Sequence, residues 1–241
     1  LCASRGLGDV YKRQVLICPE EVNVNLKKLT LQNSIVEPLK DFITRFGLYF
    51  ASFLLMIVAT YRLTDIVMGP MASPFYLEKG YTLKEIGYIV KVVAVIASIV
   101  GFFLGGLLVK RLGVKVTLII GAFLVLMTNL SFSLVAILEK DLYLLGWVVG
   151  ADSLAAGVVG TANITFLTSL VSKKYTAVQY ALLTSFMMLP GKFFSGFSGM
   201  LANFMKYEFG EENGWMAFFI FTSFLTLASL LLLFYYIIRN N

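Results

Sequence analysis

The sequence predicts an all-α membrane protein, a bundle of six transmembrane helices. Three observations predict it. Of the 241 residues, 59% are hydrophobic and 14% are charged, where soluble domains carry about 25% charged residues. The mean hydropathy is +0.83. Six stretches reach the ~20 mostly apolar residues that a helix needs to cross the hydrocarbon core.

The first stretch, Phe46–Gly69, is apolar up to Arg62 and Asp65. The second, Ile86–Val109, carries one charge, Lys91, and repeats Ala97, Gly101 and Gly105 at every fourth position. Small residues at that spacing make a close helix-packing face. The third, Val114–Leu138, has its one charge, Lys115, at its start. The fourth, Leu142–Val171, holds Asp152 and Asn163, and the fifth, Val178–Ala202, holds Pro190, Gly191 and Lys192. The sixth, Trp215–Ile238, carries no charge. Short connections make consecutive helices antiparallel neighbours. Pro70 and Pro74 follow the first stretch and predict a short interfacial turn there.

The chain begins with Leu1, and its first methionine, Met56, lies inside an apolar stretch. A fragment of a longer protein is therefore expected. Residues 1–14 are polar, resemble translated sequencing-adapter sequence and are set aside as non-native. Residues 15–41 read as a charged linker, and residues 42–241 as the six-helix bundle. Cys2 and Cys18 stand outside every apolar stretch, with no metal-ligand spacing. Histidine is absent, which removes the commonest general base and metal ligand. No cofactor, metal, catalytic residue or nucleic-acid partner is expected.

An even number of spans puts both ends on one side, and the basic residues choose it. Lys27, Lys28, Lys40, Arg45, Lys110, Arg111, Lys115, Lys173, Lys174 and Arg239 fall on one side, against Lys79, Lys84, Lys140 and Lys206 on the other. Both ends are thus expected in the cytoplasm, with the bilayer as the chain's surroundings.

A charge at the bilayer centre costs ~2.5–3.5 kcal/mol on insertion scales. Arg62, Asp65, Lys91, Asp152 and Lys192 all fall between the midplane and the outer face, counting ~1.5 Å per residue. One reading is a shared, net-positive cavity for a substrate carrying carboxylates. The other is structural: Arg62 and Asp65 pair at i,i+3, and Lys91 snorkels to the surface. Asn163 lies about three turns beyond Asp152 on the same face, either lining that cavity or bonding between helices. Pro190 and Gly191, directly before Lys192, predict a break in the fifth span that acts as a hinge.

The turn Gly105-Gly106-Leu-Leu-Val-Lys110-Arg111-Leu-Gly113-Val-Lys115 resembles the glycine-and-basic loop of the major facilitator superfamily, with a lysine where an aspartate is usual. Three further segments are more specific: YRLTDIVMGPMASPFY (61–76), GADSLAAG (150–157) and YTAVQYALLTSFMMLPGKFFSGFSG (175–199). Together they resemble the C-terminal half of the AmpG-like muropeptide permeases. The resemblance covers residues 43–238. It implies the C-terminal half of a twelve-helix major facilitator transporter of the bacterial inner membrane. The expected partner is a missing N-terminal six-helix half. The expected activity is import of anhydromuropeptides for peptidoglycan recycling, by proton symport.

Arg62, Lys192, Asn163, Gln179, Tyr180 and Tyr61 are then the expected substrate-binding residues. Arg62 and Lys192 meet peptide carboxylates, and Tyr61 and Tyr180 stack on sugar rings. Asp65 or Asp152 takes the proton, and the residues alone do not choose between them. Two alternatives stay open: a major facilitator carrier of another anionic solute such as acetyl-CoA, and a non-transporting membrane scaffold subunit. An intramembrane enzyme is set aside, because no nucleophile–base pair is recognisable.

Overall fold

The computed structural model describes residues 35–239. Every regular element among them is helical. The adapter-like residues 1–14 and most of the linker lie outside the described residues.

Helix α1 (Glu37–Phe46) opens with an acid and closes with Arg45, matching the helix dipole. It buries Phe42. Gly47, at φ 74°, turns the chain into α2 (Leu48–Tyr61). One residue, Arg62, interrupts that rod with φ −108° and ψ 9°. The chain then continues as α3 (Leu63–Glu78).

Here the structure corrects the expected turn. Pro70 and Pro74 lie inside α3, and the first rod runs on to Glu78. Each proline removes one backbone donor. Burial of Met68, Phe75 and Tyr76 against aromatic neighbours offsets that loss.

A Thr82–Glu85 capping box starts α4 (Leu83–Tyr88). A π-helical turn over Ile89–Val93 joins it to α5 (Ala94–Leu112). Then come α6 (Val114–Ile137), α7 (Leu142–Leu170), α8 (Thr176–Ser195), α9 (Ser198–Phe209) and α10 (Glu211–Arg239). The π turn carries Lys91.

Among the described residues, five rods are long and apolar enough to cross a membrane: Leu48–Glu78, Leu83–Leu112, Val114–Ile137, Leu142–Leu170 and Asn213–Ile238. The fifth expected span is instead the broken pair α8–α9. Its interruption falls at Gly196–Phe197, while α8 passes through Pro190 without ending.

Close approach of backbones sets the packing. A Cβ at Gly101 would overlap the Leu154 carbonyl, and one at Gly157 would overlap the Ser98 carbonyl. The small-residue face therefore seats α5 on α7. Helices α6 and α10 run antiparallel, with Phe132 stacked on Phe219 at 5.5 Å and Lys115 over the Tyr236 ring at 5.3 Å. Much of the outer surface is apolar, including Ile96, Ile99, Phe103, Leu107 and Leu231. Tyr49, Tyr143, Trp147 and Tyr207 are exposed near rod ends, where amphipathic rings sit at a membrane interface.

Candidate functional site

The bundle has two apolar cores stacked along its length. One contains Leu54, Tyr61, Leu118, Val125, Ala155 and Leu230. The other contains Met68, Phe75, Phe132, Val149, Trp215 and Phe219. On the first rod, α6, α7 and α10, the stretch between the two cores carries polar side chains among its apolar ones. These are Arg62, Thr64 and Asp65 on the first rod, Thr128 and Asn129 on α6, Asp152 on α7, and Thr222, Ser223 and Thr226 on α10. They form one polar layer across the middle of the bundle.

Hydrogen bonds stitch this layer together. The Thr64 and Thr226 hydroxyls meet at 2.9 Å and tie α3 to α10. The Thr128 hydroxyl meets Asp152 Oδ1 at 2.9 Å and ties α6 to α7. The Arg62 guanidinium stands 3.7 Å from Asp65 Oδ2. That is an ion pair without a short hydrogen bond. Asp65 and Asp152 lie within electrostatic reach of one another.

The layer is also under-satisfied. Arg62 Nε and Asn129 Nδ2 are buried without a hydrogen-bond partner among the described residues. Leaving such a donor unpaired costs about 1–3 kcal/mol.

Lys192 borders this layer. The residue before it, Gly191, presses on Ile66, where an added Cβ would stand 2.8 Å from the Ile66 Cδ1. So α8 passes α3 at the level of Asp65, with the Lys192 side chain exposed. Arg62, Asp65 and Asp152 thus come together, with Lys192 on the adjoining helix. Pro190 is half-buried in the same turn of α8.

The other expected binding residues sit elsewhere, for identifiable reasons. Tyr61 is buried, and its hydroxyl donates to the Leu118 carbonyl at 3.1 Å. Gly121 leaves the space it occupies, so the ring has no free face to stack on a sugar. Asn163 is buried, with its amide directed at the Met187 sulfur at 2.9 Å. It therefore acts as the interhelical contact between α7 and α8. Tyr180 is half-buried against the first core.

Gln179 is 2% exposed and bonded on both sides. Its Oε1 accepts from Arg45 at 3.0 Å and from the Ser172 backbone at 2.7 Å. Its Nε2 donates to the Pro38 carbonyl at 2.8 Å and to Asp41 at 2.9 Å. It latches α1 to the α7–α8 connection, with no hydrogen-bonding capacity left for a ligand. The bond from Gln179 holds the Asp41 carboxyl below the usual carboxylate range.

A second charged group closes the opposite end of the bundle. Glu78 accepts from Lys206 at 2.8 Å and from the Trp215 indole at 2.9 Å. Sequence reasoning missed this clasp and the role of Thr128. The adjacent Thr128 and Asn129, inside an otherwise apolar run, were the available signal.

These features define a polytopic all-α membrane protein: long apolar rods, a broken helix, and a mid-height polar layer with cations and carboxylates. In sequence the chain is AmpG-like. It is 35% identical over 203 residues to a protein named Putative transporter AmpG 4 of Rickettsia conorii (strain ATCC VR-613 / Malish 7), covering 84% of this chain and 46% of that protein. It is 32% identical over 186 residues to Putative transporter AmpG 1 of Rickettsia prowazekii (strain Madrid E), covering 77% and 40%. It is 29% identical over 219 residues to the Anhydromuropeptide permease of Escherichia coli (strain K12), covering 90% and 42%. The chain thus spans a little under half the length of these curated relatives. No protein-family model matches it.

Proposed function

We propose that the chain is the C-terminal half of a twelve-helix major facilitator transporter that imports anhydromuropeptides by proton symport across the bacterial inner membrane. On this reading it serves peptidoglycan recycling, and an N-terminal six-helix half completes the substrate path. The observation that carries the proposal is the polar layer: Arg62, Asp65 and Asp152 converge between two apolar cores, with Lys192 exposed beside them. Such groups are expensive in a membrane and concentrate at substrate and ion pathways. The permease name of a relative that aligns over 90% of this chain supports the substrate class.

The mechanism on this reading is alternating access, the two halves rocking around a midplane site. Arg62 and Lys192 bind peptide carboxylates, and one of the two aspartates carries the proton. Pro190 and Gly191, inside the continuous α8, act as a hinge that lets Lys192 move relative to α3, and the rod's interruption follows at Gly196–Phe197. The excess of basic residues beside Arg45, Arg111 and Lys173 supports both ends facing the cytoplasm. Convergence of the charges argues for a transporter over a scaffold, whose charges would pair off separately. In right-side-out vesicles carrying the full-length protein, Lys192→Ala is expected to abolish uptake of labelled anhydromuropeptide. Unimpaired uptake would remove Lys192 from the site.

A further inference from the structure

Helices α9 and α10 are joined by a turn at Gly210 and drawn together where Gly214 presses on the Lys206 backbone. A hollow of about 520 Å³ lies between them, lined by Met205 and Phe209 from α9 and by Ala217, Phe221 and Phe224 from α10. A second hollow, of about 300 Å³, lies at the interruption of the broken rod. Its walls are Phe194, Phe197 and Leu201, with Leu63, Val67 and Leu225 from the neighbouring rods. Phe221 lines both hollows, so they make one groove. Its lining is apolar except for Asn213 at the mouth and Ser198 at the inner end. Along α10 the groove runs from Asn213 to Leu225, about 18 Å at ~1.5 Å per residue. One leaflet of the hydrocarbon core is about 15 Å deep, half of ~30 Å. The groove therefore spans one leaflet, from the rod end to the level of the polar layer, where Thr226 meets Thr64.

Three helices turn this groove away from the charged residues. Side chains two apart on a helix point about 200° apart. On α3, Leu63 and Val67 flank Asp65, and on α8, Phe194 follows Lys192 at that spacing. On α10, Phe219, Thr222 and Thr226 are buried in the bundle, while Phe221 and Phe224 are exposed. The groove thus opens opposite Asp65 and Lys192, the side that a missing half would cover on the reading above. What it faces is the hydrocarbon of the bilayer. An apolar cavity stays dry, and left empty it forfeits the dispersion contacts of its walls. Hydrocarbon is what the surroundings supply at this depth. A single acyl chain has the shape of a groove one leaflet long. Asn213, exposed at the mouth, offers its amide to the ester end of such a chain.

We propose that the α9–α10 groove is a binding site for one acyl chain of a membrane phospholipid, which enters beside Asn213 and ends at Phe197, in the interruption of the broken rod. The chain packs α9 along the side where no helix of the bundle lines the outer hollow. The other supports of α9 are the Lys206 bond to Glu78 and the close approach of Gly214. The site does not depend on what the protein carries.

The test is photolabelling of the full-length protein in phospholipid bilayers. Two synthetic phospholipids are used, with a diazirine either beside the ester or at the methyl end of one acyl chain, and adducts are mapped by mass spectrometry. The ester-side diazirine is expected to concentrate on Met205, Phe209 and Met216, and the methyl-end diazirine on Phe197, Leu201 and Leu225. Ala217→Phe, which fills the groove at mid-length, should lower the methyl-end adducts several-fold and leave those on Leu231, exposed further along α10, unchanged. Bulk lipid contact without a seat would label Leu231 as strongly as the groove, without the ordered pattern of the two diazirines; that result overturns the proposal. So does groove labelling that Ala217→Phe does not lower. A photoreactive amino acid at position 221 that cross-links to the N-terminal half instead of to lipid also overturns it. The two-diazirine pattern is read on the unaltered chain, so it decides the matter even if the variant fails to fold. Muropeptide uptake enters none of these outcomes, so the site and the transport reading stand or fall separately.

Discussion

Single side chains divide into those that hold the bundle together and those that remain for a ligand. Tyr61 belongs to the first group, since its hydroxyl is spent on Leu118. Tyr61→Phe is expected to cost about 0.5–1.5 kcal/mol, the net worth of one intramolecular hydrogen bond, and to leave uptake unchanged. Thermal unfolding and vesicle uptake check the two halves of that statement. Gln179 belongs to the first group as well. Its bond to Asp41 lowers that carboxyl, so the stabilisation is present above the ordinary carboxylate value. It is lost as the pH falls through the lowered native value. Hydrogen exchange of α1 amides should therefore stay protected at neutral pH and rise under strong acid. Asp41→Asn should remove that acid step. The Arg62–Asp65 pair was legible because both partners lie one turn apart in the sequence. The latch was not, because Gln179 finds Pro38, Asp41 and Arg45 on a helix far away in the chain, and a glutamine in an apolar run looks the same whether it faces a ligand or a neighbouring helix.

At the scale of elements, hydropathy located the rods well, because a lipid-facing helix must be apolar along its whole length. It misjudged two ends. Proline suggested a turn after Gly69, but α3 continues through Pro70 and Pro74. A proline costs one donor and its local fit, and neighbouring helices can restore the balance. In the fifth span proline suggested the break, yet the interruption comes at Gly196–Phe197, with the small residues Ser195 and Ser198 around it. The contact between α5 and α7 was legible from the glycine spacing. Gly101→Leu or Gly157→Leu should separate those helices, since an added Cβ meets backbone atoms that cannot yield. A cost of at least 1–3 kcal/mol is expected, on the order of core overpacking. Thermal unfolding in detergent measures it. An unchanged melting temperature would mean that the two helices do not rely on this approach.

Across the whole molecule, a polar layer lies between two apolar cores. The common depth of Arg62, Asp65 and Asp152 was legible from their positions along their spans. Their convergence depended on which helices pack together, which depth alone does not decide. The central claim is that this layer, bordered by Lys192, opens to substrate. Cysteine accessibility tests it most directly. The full-length protein carrying Lys192→Cys, in a background without other reactive thiols, is treated with a membrane-impermeant maleimide with and without anhydromuropeptide. The account predicts labelling from the aqueous phase that the muropeptide suppresses. Labelling that is absent, or that proceeds equally with and without the muropeptide, would contradict it.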